Sequence, residues 1–409
     1  MKILFLTYDG LSDPLGQSQV LTYLVRLSKL GYRITIVSTE KRSGLQYMDE
    51  IMAVLKEHNI SWHYIGYTKY PPVVSTLYDC FRILFLSRKL CKKERFDIVH
   101  CRSYIPSLIG IHLKKYFKIR FIFDMRGFYA DERVDGRIWK QTSILYRILY
   151  RFFKRQEERF LTKADYTICL TERAKAEILS WRIIPRQPIP IMVIPCCANT
   201  NFFDPALMSI EEKKKIRERI DISESDFLLM YTGAIGTWYM LEEMFDFFKR
   251  LLLKSNAKFL FITYDDPEKI LRVARSKNIN EALIKIVKAK HSEVPSLLSV
   301  CDLSIFFIRP LYSKMASSPA KQGEIMSMGI PIICNSNIGD SDRIIREADG
   351  GMIIRSFTDD DYDFVVSQIP ELLMKSKAKI RKTAQHYYSL DKGVELYNEV
   401  YRSLAKNEH

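Results

Sequence analysis

The chain has 409 residues, 47% hydrophobic and 27% charged, with 63 Lys and Arg against 48 Asp and Glu. That composition excludes wholesale disorder, collagen-like chains and disulfide miniproteins, and it supplies enough apolar matter for two cores. No apolar run approaches the ~20 residues that span a bilayer, and Ile3–Leu6 is too brief for a signal-peptide core. With eight cysteines and no C-x-x-C spacing, a cytoplasmic protein with reduced thiols is expected. Strands are predicted in chain order at Lys2–Tyr8, Arg33–Ser38, Ser61–Ile65, Ile98–His100, Arg120–Asp124, Tyr166–Leu170 and Met192–Ile194. Helices lie between them; Val20, Leu21, Leu24, Leu27 and Leu30 mark one over Ser18–Leu30, stopped by Gly31.

Residues 195–205, rich in Pro, Cys, Asn and Phe, read as the interdomain connection. Beyond it the plan repeats, with strands at Phe227–Thr232, Lys258–Thr263, Ile284–Val287, Leu303–Phe307, Pro331–Cys334 and Gly351–Ile354, and helices such as Leu241–Lys254 and Pro267–Ser276. Asp391–Leu404 is a final amphipathic helix. Alternating strand and helix gives an α/β class with two doubly wound domains, 1–200 and 206–385, and with 386–409 packing back on the first.

Charge is placed unevenly. Residues 1–205 hold 33 basic and 19 acidic side chains, a balance of +14, whereas 206–409 hold 30 and 29, a balance of +1. Residues 82–163 alone carry 21 basic against 8 acidic. This half should attract anions: nucleic acid, an anionic membrane face or a phosphorylated substrate. Tyr146, Ile148, Leu149, Phe152 and Phe153 interleave with Arg147, Arg151, Lys154 and Arg155, which fits a cationic amphipathic helix or a solvated basic face beside a core stripe.

In doubly wound sheets, ligands bind beyond the C-terminal strand ends. The loop after the first strand, Asp9 to Gln19 with Gly16 and Gln17, can offer free backbone N–H groups to a phosphate, or use its glycine only to turn; it is not G-x-G-x-x-G, so a plain NAD enzyme loses support. The loop Asp124-Met125-Arg126-Gly127-Phe128-Tyr129-Ala130-Asp131-Glu132 is expected to face a substrate, an internal ion-pair cluster being the other reading. His100 ends the preceding strand as an acceptor-side candidate. In Ser317-Ser318-Pro319-Ala320-Lys321-Gln322-Gly323-Glu324 the serines are expected to cap a helix, with proline in its first turn and Lys321 adding charge at its N-terminus. Glu324, one turn on, suits a pair of sugar hydroxyls; an ordinary capped helix fits the same pattern. Asp265-Asp266 and Asp359-Asp360-Asp361 read as solvated turns, and no metal site is assigned.

The order and spacing of Met1-Lys2-Ile3-Leu4, the Gly16 loop, Val193-Ile194-Pro195 to Phe203, Tyr231-Thr232-Gly233, Val294-Pro295 and Glu324 to Pro331 resemble a retaining nucleotide-sugar glycosyltransferase of family 4 (group 1). That resemblance implies a GT-B fold, two Rossmann-like domains facing each other across a cleft, with the nucleotide in the second and the acceptor in the first. It implies donor contacts at Gly16, Gln17, Gly233, Thr237, Val294, Ser318, Lys321 and Glu324, where Glu324 matches the second glutamate of the family's Glu-x7-Glu element. The first glutamate falls at Ala316, and the family's Arg/Lys pair is replaced near Ala234, Thr237 and Trp238. Ser318-Pro319-x-Lys321 resembles a sub-branch with serine and lysine in this helix. Lys321 is expected to stabilise the leaving diphosphate, with Asp124, Arg126, Asp131 or Glu132 orienting or deprotonating the acceptor.

The implied reaction moves a sugar from a nucleoside diphosphate sugar to a glycan or lipid-linked acceptor, in surface polysaccharide or glycolipid synthesis. It needs no cofactor and no metal, and the basic first domain would meet an anionic membrane at its inner face. No nucleic-acid partner is expected, since no binding fingerprint accompanies the charge. A nucleotide-sugar epimerase of the same fold, a basic nonenzymatic binder and a catalytically silent scaffold stay open as alternatives.

Overall fold

A computed structural model of the chain describes residues 1–185 and 190–406. Each predicted strand is present. The first sheet contains β1 (Lys2–Thr7), β2 (Arg33–Glu40), β3 (Ser61–Gly66), β4 (Ile98–Arg102), β5 (Arg120–Asp124), β6 (Tyr166–Cys169) and β7 (Ile191–Val193) in the order 3-2-1-4-5-6-7. The second contains β8 (Phe227–Thr232), β9 (Ala257–Ile262), β10 (Ile284–Val287), β11 (Leu303–Phe306), β12 (Ile332–Asn335) and β13 (Gly351–Ile354) in the order 10-9-8-11-12-13.

All pairings between these strands are parallel; Phe5 of β1, for example, lies beside Ile36 of β2 and His100 of β4. The central strands are covered on both faces, which is why Ile3–Leu6, Leu228–Tyr231 and Phe259–Phe261 are continuous buried runs rather than alternating ones. In each sheet the strand order reverses beside the first strand, at β1/β4 and at β8/β11. There the following loops diverge and leave a crevice at the C-terminal strand ends.

The chain divides into two compact units, residues 1–195 with 391–409, and residues 196–390. The boundary lies at Pro195 rather than 200. Residues 386–390 also stay with the second unit, since Ala198 N–H donates to the Tyr388 carbonyl (2.7 Å) and Leu390 N–H to that of Ala198 (2.9 Å). The C-terminal helix Leu390–Lys406 belongs to the first unit from Asp391 onward. Its Tyr397 packs edge-on against Tyr23, and Asn398 accepts from the Tyr32 hydroxyl (2.6 Å).

One helix differs from expectation. It starts at Pro14 rather than Ser18, with a first turn Pro14–Gly16, a π-helical turn Gln17–Leu21 and then Thr22–Lys29. Gly16 therefore sits inside a helix, not in the loop. A Cβ there would fall 1.9 Å from the Gly10 carbonyl oxygen, so glycine is required by the close approach of two backbone segments.

Candidate active site

In the second unit, the helix Ala320–Ser327 starts directly after Pro319, which is its N-cap rather than part of its first turn. No serine caps it. Instead, Ser318 Oγ accepts the Cys196 N–H (3.1 Å), tying the start of the unit to the start of this helix. Gly323 lies where a Cβ would press on Tyr388 Cβ at 2.9 Å, so the helix packs closely on the end of Lys377–Tyr388.

Lys321 points from the first turn into an aromatic cage. Its Nζ lies 4.0 Å from the Tyr231 ring centroid and 3.9 Å from that of Tyr239. The amine is buried and has no hydrogen-bond partner. Burial pushes its pKa down to about 7, although Glu324 draws it upward. Such a desolvated amine with unused donors is a strong point of attraction for an anion.

Gly233 faces the same amine. Its φ of +109° strains any side chain, and a Cβ there would stand 3.0 Å from Lys321 Nζ. The loop that follows is braced by Asp265, whose carboxylate accepts the Ile235 N–H and whose own N–H donates to Thr263 Oγ1 (3.1 Å). Asp265 is thus a structural brace rather than a solvated turn. Asp266 caps Pro267–Ser276, and Asp361 accepts backbone N–H groups of Arg355 and Ser356. Among the described residues, no cluster of His, Cys, Asp and Glu is assembled to hold a metal ion. Thr237 is exposed at the loop tip, and Ala316, where the family's first glutamate would fall, is buried.

Glu324 is partly buried one turn beyond Lys321. Its Oε1 lies 3.4 Å from His291 Nε2, an interaction that raises the histidine's pKa. The His291 ring stacks on Phe202 at 5.6 Å and 11°. Val294 and Pro295 are buried at the start of the next short helix, Val294–Leu298. Lys321, Glu324, Gly233 and Ser318 are therefore brought to one end of one helix, with His291 at its side.

In the first unit, the predicted loop residues divide between two environments. Asp124 ends β5, almost fully buried; its Oδ2 accepts the Tyr397 hydroxyl (3.1 Å) and lies 3.4 Å from His100 Nε2. Oδ1 has no hydrogen-bond partner and lies 3.9 Å from the Arg126 guanidinium. Burial alone would raise the pKa of this carboxyl, but Arg126, His100 and Arg102 outweigh it and hold it below the usual value. Arg126 adopts a φ of +57° to reach back to it. His100 does not end its strand; it lies inside β4, and its Nδ1 is 2.7 Å from the Tyr401 hydroxyl.

Asp131 lies elsewhere, in an internal cluster. It accepts from the Tyr150 hydroxyl (2.9 Å) and from Lys154 (3.0 Å), and Lys154 also pairs with the buried Glu157, which holds the Tyr104 hydroxyl. The internal ion-pair reading describes Asp131, whereas Glu132 beside it is partly exposed. The loop after β1 also differs from expectation: the N–H groups of Leu11 (2.8 Å) and Ser12 (3.1 Å) are already bound by the buried carboxylate of Glu40. Gln17 turns back to the Ser12 carbonyl (3.3 Å).

Residues 16–202 match the model of Glycosyltransferase Family 4. Over its full length the chain superposes on a glycosyltransferase from Rickettsia africae, with a TM-score of 0.72, 17% identity and coverage of 100% of this chain and 99% of that one. The chain has the GT-B fold. It also resembles the Anabaena protein HepE in complex with UDP-glucose, with a TM-score of 0.70, 13% identity and coverage of 98% and 100%. A relative by sequence is the Escherichia coli UDP-Gal:alpha-D-GlcNAc-diphosphoundecaprenol alpha-1,3-galactosyltransferase, 21% identical over 329 residues, 78% of this chain and 79% of that one.

Sequence reasoning on this GT-B chain missed Tyr239 and His291 and read Tyr231 only as part of the Tyr231-Thr232-Gly233 motif; these residues surround Lys321 and Glu324 from other elements. It also missed Arg102, which ends β4 and pairs with Asp9 next to Asp124 and Arg126. A charged residue at a strand's C-terminal end was the available signal for Arg102. Tyr239 carried none, because an aromatic residue in a loop before a helix reads as core.

Proposed function

We propose that the chain transfers a sugar from a nucleoside diphosphate sugar to a hydroxyl of a glycan or lipid-linked acceptor, with retention of configuration and without a metal. The observation that carries this reading is the unpaired, caged amine of Lys321 one helical turn from Glu324. The amine and the helix N-terminus suit a diphosphate, and the Glu324 carboxylate suits two ribose hydroxyls. As the bond from the anomeric carbon to the phosphate oxygen breaks, negative charge grows on the leaving diphosphate. Lys321 is placed to stabilise that charge more than it stabilises the ground state.

On the acceptor side we assign Asp124, whose buried Oδ1 has no hydrogen-bond partner beside Arg126, to orient or deprotonate the incoming hydroxyl. Asp131 serves the fold instead. The Escherichia coli relative uses a UDP sugar and an undecaprenol diphosphate acceptor, which supports a lipid-linked acceptor at a membrane face and a pathway of surface glycan synthesis. The basic first unit fits such an anionic acceptor.

A thermal-shift titration with UDP, GDP, ADP and CMP, run with a chelator present, tests the donor site. One nucleotide should raise the melting temperature, and Lys321→Ala and Glu324→Ala should each abolish the shift. An unchanged shift in both variants would remove these residues from the donor site. Solvent deuterium entering the sugar of a nucleotide sugar without any acceptor would replace transfer by epimerisation.

A further inference from the structure

The helix Val74–Lys93 in the first unit is built inside out. Its inward face carries Ser75, Asp79 and Ser87, the last two with 0% exposure, together with Ile83 and Leu90. Its outward face carries Leu77 at 63% and Phe81 and Phe85 at 68% exposure. These positions recur at four-residue spacing, a continuous apolar stripe turned away from the core.

The orientation is fixed by polar chemistry. The buried Asp79 carboxylate accepts the Thr68 N–H (2.9 Å), the Thr68 hydroxyl (2.8 Å) and the Tyr8 hydroxyl (3.2 Å). Rolling the helix to bury its phenylalanines would break all three of these hydrogen bonds to a charged acceptor, each worth about 1.5–3 kcal/mol, and so offset what the rings would gain. Large rings held in water by a buried polar anchor mark a surface made to be covered.

Two further features say what covers it. The same outward face becomes basic toward its C-terminal end, at Lys89 and Lys92. Ile144–Lys163 repeats the pattern, with Ile144, Ile148 and Phe152 exposed between Arg147, Arg151 and Arg155. The helix Tyr104–Phe117 packs against both of these helices, so all three form one layer over the first sheet. Exposed apolar rows bordered by cations on one layer match a bilayer with anionic headgroups: rings enter the acyl boundary and ammonium and guanidinium groups stay at the phosphates.

We infer that the outward faces of Val74–Lys93 and Ile144–Lys163 form a membrane-docking surface, with Leu77, Phe81 and Phe85 as the inserted wedge. The apolar end of the first helix lies beside Tyr8 at the C-terminal end of β1, the ligand end of the sheet. A lipid-carried acceptor would thus enter from the bilayer at the end of the unit where Asp124 and Arg126 lie. This deepens the lipid-linked acceptor reading and rests on it for its purpose, whereas binding to vesicles requires neither donor nor acceptor.

Co-sedimentation of the full chain with phosphatidylglycerol/phosphatidylethanolamine vesicles, compared with phosphatidylcholine vesicles, is the test. Binding should be at least ~tenfold stronger to the anionic vesicles and fall with salt. Phe81→Glu/Phe85→Glu should lose at least ~tenfold in affinity, and Lys89→Gln/Lys92→Gln about fivefold per lysine. Both variants change exposed side chains, so their melting temperatures and nucleotide-induced shifts should match the unaltered chain. Leu77→Ser gives a second, smaller probe of the wedge. Vesicle binding unchanged in the Phe81/Phe85 variant, or no binding to anionic vesicles by the unaltered chain, would overturn the inference. So would self-association in solution that the same variant abolishes, since a second copy would then be the occupant. Loss of the nucleotide shift with vesicle binding intact would count against the donor site alone.

Discussion

At the scale of single residues, Lys321 ties stability to pH in a direction opposite to that of a lysine that gains an ion-pair partner on folding. Caged by Tyr231 and Tyr239, its amine titrates near 7, whereas in an unfolded chain it would titrate near ~10.4. Between those values the unfolded state holds a proton that the native state lacks. The lysine therefore costs stability most at pH 7 and below, and the cost fades as pH rises toward the unfolded value. Lys321→Met should raise the melting temperature at pH 7, by a margin that shrinks toward pH 10. A diphosphate would favour the protonated amine, so nucleotide affinity measured by calorimetry should fall by up to ~tenfold per unit between pH 7.5 and 9, where the diphosphate's own charge is constant. In Lys321→Met it should be weak and flat. A pH-independent affinity in the unaltered chain would place the diphosphate elsewhere. Lys321 and Glu324 were legible in the sequence because residues three apart on a helix share a face. The cage was not, because its tyrosines come from β8 and the loop after it.

At the scale of elements, strands were the most legible part, since runs buried on both faces have no polar alternation to confuse with loops. Helix starts were less so. The π-helical turn at Gln17–Leu21 has no sequence signature, and the apolar spacing of Val20 to Leu30 hid the earlier turn begun by Pro14. The loop before it looked free to bind phosphate because nothing local shows that Glu40, at the end of β2, occupies its amides. Gly16→Ala tests this joint. Alanine ordinarily favours a helix by ~1 kcal/mol, but here its Cβ meets the Gly10 backbone, which cannot rotate away. A net loss of about 1–3 kcal/mol is expected in denaturant unfolding; a gain would show that the two segments separate easily.

At the scale of the whole molecule, the first unit is completed by the last segment of the chain. Tyr397 and Tyr401 supply hydrogen bonds to Asp124 and His100, two groups buried at the ligand end of the sheet. Truncation after Leu390 would leave both without these partners and uncover the face held by Tyr23 and Tyr32. Calorimetry should show the transition of the first unit lowered by about 3 kcal/mol or more of stability, with that of the second unit little changed. Equal transitions before and after truncation would make the helix dispensable. The sequence by itself determined the strand pattern, the two doubly wound halves, the basic bias of the first and the Lys321–Glu324 pair, because periodicity, composition and one-turn spacing act over short stretches of chain. Tertiary packing settled that Asp131 is an internal ion-pair partner, that Asp124 Oδ1 and Lys321 Nζ are each buried without a hydrogen-bond partner, and that Phe81 and Phe85 face outward. Each of those outcomes depends on which distant residue supplies a hydrogen bond, a ring or nothing at all, and that is settled only when strands and helices remote in sequence are packed together.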